Sequence, residues 1–264
     1  MTDSVVAAVR PRRVGGLVPV VVAIAASWGV AIVATSTGAA PRFHHDPLIE
    51  GSLPPWVALP LFLLAWQTMT ASMMLPSSLP LVRLFFLTAR DQPHAASVKV
   101  AFIAGYAAVW SAFGAVAFLG DIGIHRVVHA AAWLDQHPWL ITGPTLMLAG
   151  AFQFSDVKQA CLKQCRHPAA FLLPRYRRGP RAAFRLGREH GLYCLGCCWA
   201  LMLVGFAAGV ANLWGMAALT AVMVVEKAVP RGDRIVAPVG VALLGWGALV
   251  TIQPPWLLAL GSGT

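Results

Sequence analysis

The sequence predicts an all-α fold, a polytopic transmembrane helix bundle of about seven spans with a cytoplasmic N-terminus. Three observations carry that reading. Only 11% of the 264 residues are charged and 58% are hydrophobic, whereas a soluble domain carries about 25% charged residues. Mean hydropathy is +0.69. Apolar runs close to the roughly 20 residues that cross a bilayer recur at 14–36, 56–82, 99–120, 139–155, 190–209, 213–229 and 235–253. Finally, a cytoplasmic N-terminus places eighteen of the twenty Lys and Arg on the inner side and leaves only Arg42 and Arg126 outside. That asymmetry is the positive-inside bias. It also disposes of the nucleic-acid reading that a net charge of +10 and a pI near 10.2 invite. Residues 1–264 read as a single transmembrane domain of the bacterial inner (plasma) membrane, partnered by the lipid bilayer, with 156–188 a basic cytoplasmic loop within it.

Each element has its own justification. The first run follows Arg10, Arg12 and Arg13. It exceeds a signal-peptide core and no Ala-x-Ala site precedes Pro41, so it reads as a retained helix. The loop at 38–53 carries His44 and His45. The second run holds Met69, Met73 and Met74, then Pro76 and Pro80, which predict a kink in its inner half. The third is rich in Ala and Gly, which suits close helix approach; an outside loop with His125, His129 and His137 follows. The fourth is expected to continue as one helix past the membrane surface to His167, ended by Pro168. Residues 168–188 mix arginines with Phe171, Leu172, Leu173 and Phe184, a composition suited to an anionic leaflet. Pro180 suits a helix start, so the fifth helix begins inside and enters the membrane near His190. Residues 209–213 alone separate the fifth and sixth runs, so six spans is the alternative count. Glu226 and Lys227, at the inner end of the sixth, read as an interfacial pair, and Tyr193 and Trp199 as interfacial aromatics.

The chemistry concentrates at residues 190–202, which hold three of the five cysteines. On a helix His190, Cys194 and Cys198 form one stripe, with Cys197 beside it and Met202 one turn deeper. Imidazole, thiolate and thioether are the soft donors that select Cu(I) or Zn(II) over Mg(II) or Ca(II). Cys161 and Cys165, one turn apart, form a second thiolate clip. All five lie at the reducing inner face, where structural disulfides are not expected, and the arginines nearby are expected to lower thiol pKa values. Counted inward from Arg188, Cys197 and Cys198 lie about 14–15 Å deep. Counted from Arg83, Met73 and Met74 lie equally deep, so two antiparallel helices would bring Cys and Met to one level. A lone buried Cys is ordinarily a small hydrophobe, and Met147, Met216 and Met223 read as packing; the density of cysteines is what favours ligation. Walker, Gly-x-Ser-x-Gly and His-Glu-x-x-His motifs are absent, and a phosphorylated-Asp pump domain does not fit within this length.

The runs Cys161-Leu-Lys-Gln-Cys165-Arg-His-Pro168 and Gly187-Arg-Glu-His190-Gly-Leu-Tyr-Cys194-Leu-Gly-Cys197-Cys198-Trp-Ala-Leu-Met202 resemble a bacterial family. It is the family of predicted metal-binding integral membrane proteins (domain of unknown function 2182). Glu226-Lys227 and the Met-Met-Leu-Pro run at 73–76 fit the same pattern. The resemblance covers most of the chain and is most specific after residue 150. It implies a multi-span inner-membrane protein with a metal site, a class sometimes labelled copper chaperone. Thr68, Thr70 and Ser72 interrupt methionines that family members carry more densely.

The expectation is therefore an inner-membrane protein that binds Cu(I), with zinc the alternative ion, and acts in metal handling, transfer to a receiving protein, or tolerance. The expected metal ligands are His190, Cys194, Cys197 and Cys198, with Cys161 and Cys165 as a clip for loading or release and Met69 and Met73 as weaker donors. A non-enzyme is favoured. The alternatives are a membrane thiol/disulfide oxidoreductase using Cys194/Cys197 and Cys161/Cys165, which the inner location opposes, and a non-catalytic partner subunit.

Overall fold

A computed structural model describes residues 16–39, 48, 53–137, 139–208 and 212–252. His44 and His45, the arginines at 10–13 and the side chain of His129 lie outside the described residues. Every regular element among them is helical. In chain order these are α1 (Val18–Ser36), α2 (Pro55–Thr88), α3 (Ala95–Ala130), α4 (Ala132–Asp135), α5 (Trp139–Phe152), α6 (Asp156–Arg166), α7 (Pro168–Leu172), α8 (Pro180–Ala208), α9 (Leu213–Ala228) and, after a 3₁₀ turn at Gly232–Ile235, α10 (Val236–Ile252).

Four of these segments are long and apolar enough to cross a membrane: Val18–Ser36, Trp56–Thr88, Ala95–Val128 and Gly232–Ile252. The expected count of about seven spans is thus not met. The 14 residues of α5 and the 16 of α9 extend about 21 and 24 Å at 1.5 Å per residue, short of a roughly 30 Å hydrocarbon core. Helix α8 has the length, but it opens with Arg181, Arg185, Arg188 and Glu189.

Two helix boundaries also differ from expectation. The fourth apolar run does not continue to His167. Helix α5 stops at Phe152, and the Ser155 hydroxyl accepts the Lys158 amide at 3.2 Å, capping a new helix with Asp156 in its first turn. A serine cap followed by an acid favours a fresh start over continuation. Pro168 ends α6 and also opens α7. The outside loop begins later than expected, because α3 runs on to Ala130. His125 is therefore helical, with its ring 3.5 Å from the Asp121 carboxylate one turn back.

The prolines of α2 are absorbed. The helix runs unbroken through Pro60, Pro76 and Pro80. Pro76 has no N–H to offer the Ser72 carbonyl; Trp28 of α1 donates its indole N–H there instead, at 3.1 Å. Helix α8 starts at Pro180, as expected. The preceding Gly179 takes the left-handed region (φ 98°) and donates its amide to Gln92 at 2.8 Å.

Two helix pairs form the frame that positions everything else. Helix α8 lies along α3 and α10 lies along α5. A Cβ at Gly187 would collide with the Phe102 carbonyl, and one at Gly105 with the Phe184 carbonyl, so the backbones of α3 and α8 touch directly. This is the close approach that the small residues of the third run predict. Gly143, Gly150, Gly240 and Gly247 do the same for α5 and α10. Helix α9 packs on α2, and α6 lies across α8. Large apolar side chains such as Val22, Val33, Leu119, Val127, Val241 and Trp246 face outward, a surface suited to lipid more than water.

Replacing Gly187 by Val should force α3 and α8 apart. Overpacking of this kind costs about 1–3 kcal/mol, read as a thermal midpoint lowered by roughly 3–10 °C in detergent. Gly120→Ala, which meets nothing within 4 Å, should leave the midpoint unchanged.

Candidate metal centre

The inner half of α8 supplies the centre. His190, Cys194, Cys197, Cys198 and Met202 are all buried, and the three sulfurs of the cysteines are fully shielded from solvent. The stripe expected from helical spacing thus faces the protein interior. It divides into two neighbourhoods.

Cys194 sits among polar donors brought by three other helices. Its sulfur is 3.1 Å from the Tyr106 hydroxyl of α3, 3.1 Å from Lys227 Nζ of α9 and 4.0 Å from the Ser78 hydroxyl of α2. Lys227 also donates to the Ser77 hydroxyl at 3.2 Å. One sulfur is therefore surrounded by an ammonium and two hydroxyls.

Cys197 lies in a sulfur neighbourhood. Its Sγ is 3.5 Å from Cys198 Sγ and 3.9 Å from Cys165 Sγ of α6, and it donates to the Cys194 carbonyl at 3.2 Å. Cys161, one turn before Cys165, faces Gly196: a Cβ there would come to 2.5 Å from the Cys161 sulfur. The second clip is thus not a separate site but part of the first.

What holds α6 there is a buried ion pair. Residues 158, 161, 162 and 165 share one face of an amphipathic helix. Lys158 on that face is completely buried, with Nζ 2.7 Å from the Glu226 carboxylate and 3.1 Å from the Cys197 carbonyl. Arg166 adds a bond to the Glu226 carbonyl and an ion pair to Asp233 at 3.1 Å. A buried charge persists only when paired and hydrogen-bonded, and here the pairing joins α6, α8 and α9.

His190 is stacked, not hydrogen-bonded. Its ring lies 5.5 Å from Tyr106 and 6.3 Å from Phe102, near parallel to both, with Phe171 edge-on at 5.8 Å. Its Nε2 is buried with no hydrogen-bond partner. Leaving such a nitrogen unsatisfied costs about 1–3 kcal/mol, which suits a position awaiting a ligand.

Several expectations need correction. Glu226 and Lys227 are not an interfacial pair: both are buried and each faces a different partner. Met69, Met73 and Met74 are buried on α2, and Met73 reaches the level of Gly205. Its methyl lies where a side chain at Gly205 would be, at 3.4 Å, about two turns beyond Cys198. A helical side chain leans towards the N-terminus of its own helix, and on an antiparallel neighbour that carries the Met73 thioether past the cysteines. Ser78 lies beside Cys194. The arginines do not lower every thiol either. Burial pushes the Cys161 thiol up, and the neighbouring Cys198 adds to it. Tyr193 and Trp199 pack on Phe171 and Phe152 respectively. Reasoning from sequence missed Tyr106, Ser77 and Ser78, which carry no motif; Lys158, Glu226 and Lys227 were legible only as charges flanking apolar runs.

Among the described residues no three His, Cys, Asp or Glu side chains converge on one point with metal-ligand geometry; the sulfurs approach in pairs. Two thiolates bound to one soft ion at about 2.3 Å each stand about 3.8 Å apart at tetrahedral angles and about 4.6 Å apart in line. The observed 3.5 and 3.9 Å lie nearer the tetrahedral separation than the in-line one. Thiols linked in this way are a donor set that suits a soft ion.

A helical protein with buried thiols paired across two helices has the donor chemistry of a soft-metal carrier. The sequence model of a family described as copper chaperone (PpoB2) matches residues 63–250, and the chain belongs to that family. The match takes in all five cysteines, His190, Met69 and Met73. No curated protein and no solved structure matches the chain.

Removing one partner of the buried ion pair should be costly. Glu226→Gln is expected to lower stability by about 3–5 kcal/mol, whereas Lys158→Met combined with Glu226→Leu should recover most of the loss. Thermal unfolding of the purified variants checks both.

Proposed function

We propose that this protein carries Cu(I) within a membrane, close to its cytoplasmic face, and passes the ion to a receiving protein. The observation that carries the reading is the meeting of Cys165 with Cys197 and Cys198. Thirty-two residues separate Cys165 from Cys197, on different helices, yet their sulfurs lie 3.9 Å apart with Cys198 3.5 Å further on. Membership of the copper chaperone family supports the choice of ion, and so does the preference of thiolates for soft cations.

The pairs share a sulfur, which supplies a route. Cys161 and Cys165 are only half-buried, whereas Cys197 and Cys198 are fully buried. An ion taken up at the Cys165 and Cys197 thiolates would move to Cys197 and Cys198 by breaking the Cu–S bond to Cys165 and forming one to Cys198, as a proton passes from the Cys198 thiol to the freed Cys165 thiolate. Copper stays in the +1 state throughout, and no site along the way leaves it unbound. His190, one and two turns from Cys194 and Cys197, offers its unpartnered nitrogen as a further donor. Met69 and Met73 provide softer positions deeper along α2. Zinc is a poorer fit, since it takes four donors where the sulfurs come in twos.

Charge and apolarity support this address. Lys158, Lys163, Arg166 and the arginines at 175–188 flank the thiols, and the positive-inside bias favours the cytoplasm for that segment, with the chain in the inner membrane of a bacterium. The four long apolar helices support a multi-pass arrangement.

Cys197→Ser combined with Cys198→Ser should reduce copper in anaerobically purified protein from stoichiometric to background, measured by mass spectrometry of the metal. Unchanged copper content in a folded double variant would exclude this centre. Cys165→Ser should retain copper at equilibrium but slow its uptake from a Cu(I) chelator complex.

A further inference from the structure

Three buried or half-buried cations stand around the thiols, and two have carboxylate partners. Lys158 pairs with Glu226 at 2.7 Å, and Arg166 with Asp233 at 3.1 Å. Lys227 is 4% exposed, and among the described residues no carboxylate lies within 4 Å of its ammonium. Its Nζ is held instead by Cys194 Sγ at 3.1 Å and Ser77 Oγ at 3.2 Å. A buried positive charge without a counter-charge is expensive, so its placement against Cys194, one helical turn before Cys197 and Cys198, calls for an explanation.

We propose that Lys227 is a specificity-determining residue of the copper centre: its ammonium supplies the one positive charge that makes a two-thiolate complex of a monovalent ion neutral. The proposal rests on the Cu(I) reading above. Two thiolates and Cu(I) together carry one net negative charge, which a buried site tolerates poorly, and Lys227 cancels it. Two thiolates and a divalent ion are already neutral, and the ammonium then stands uncompensated beside them. The preference is set by ionic charge and so acts in addition to softness. It depends on sulfurs meeting in pairs, as they do here, because a third thiolate would restore balance for a divalent ion. Ser77, Ser78 and Tyr106 play a supporting part. The Ser77 hydroxyl accepts from the ammonium, and the Tyr106 and Ser78 hydroxyls lie beside the same sulfur, which fixes Lys227 on the thiol side of α9 and away from Glu226.

The test uses the full chain in detergent, titrated under anaerobic conditions with Cu(I) or Ag(I) against a chromogenic chelator, and separately with Cd(II), a soft divalent ion. Wild-type protein should prefer both monovalent ions to Cd(II). Lys227→Met, which keeps the length of the side chain and removes its charge, should weaken Cu(I) and Ag(I) binding at least tenfold (about 1.4 kcal/mol) while leaving Cd(II) binding unchanged or tighter. Lys227→Arg should restore the monovalent preference. A purely structural role would weaken all three ions together. A folded Lys227→Met variant with wild-type preference overturns the proposal. Should that variant not fold, wild-type protein holding Cd(II) as tightly as Ag(I) overturns it equally. Wild-type protein that binds no Cu(I) at all refutes the functional reading itself, and is distinguished from these outcomes by the titration of the unmodified chain.

Discussion

The bond between Lys158 and Glu226 joins two fully buried, oppositely charged groups from α6 and α9, and the same ammonium reaches the carbonyl of Cys197 on α8. Arg166 adds a second tie from α6, to the Glu226 carbonyl and to Asp233. Without these ties, the amphipathic segment that carries Cys161 and Cys165 would have its apolar stripe, of which Leu162 is the buried member, as its main reason to lie against α8. Losing one partner would leave a costly uncompensated charge, so the pair favours the arrangement in which Cys165 meets Cys197. A buried ion pair is weak evidence for stability in general. Here its value is positional.

The second constraint is the near contact of the backbones of α3 and α8. Glycines at 105, 187 and 191 let α8 sink against α3, and that depth brings the hydroxyl of Tyr106 to Cys194 and its ring to His190. Helix α9, packed on α2, then closes the remaining side with Lys227. The proposed centre thus depends on small residues and a pair of charges that are not among its expected ligands.

Much of the centre was legible in the sequence because helical periodicity is local. The stripe from His190 to Met202 points inward as its spacing requires, Pro180 starts its helix, and the Ala- and Gly-rich third helix makes the close contact its composition favours. What could not be read depends on neighbours distant in sequence. Ser155 looked like an ordinary residue in a helical run, and only its cap onto Lys158 shows the break. Glu226 and Lys227 looked interfacial because adjacent charges at the end of an apolar run usually are, whereas each is buried by a different partner. Hydropathy alone overcounted the spans, because apolar helices such as α5 and α9, of 14 and 16 residues, read like membrane helices but are shorter than a roughly 20-residue span.

These elements amount to one claim: a soft monovalent ion is held by sulfurs that α6 and α8 bring together. X-ray absorption at the copper edge of the Cu(I)-bound protein tests it most directly. The account predicts copper surrounded by two or three sulfurs at about 2.3 Å, and a shell of nitrogen or oxygen with no sulfur at that distance would contradict it.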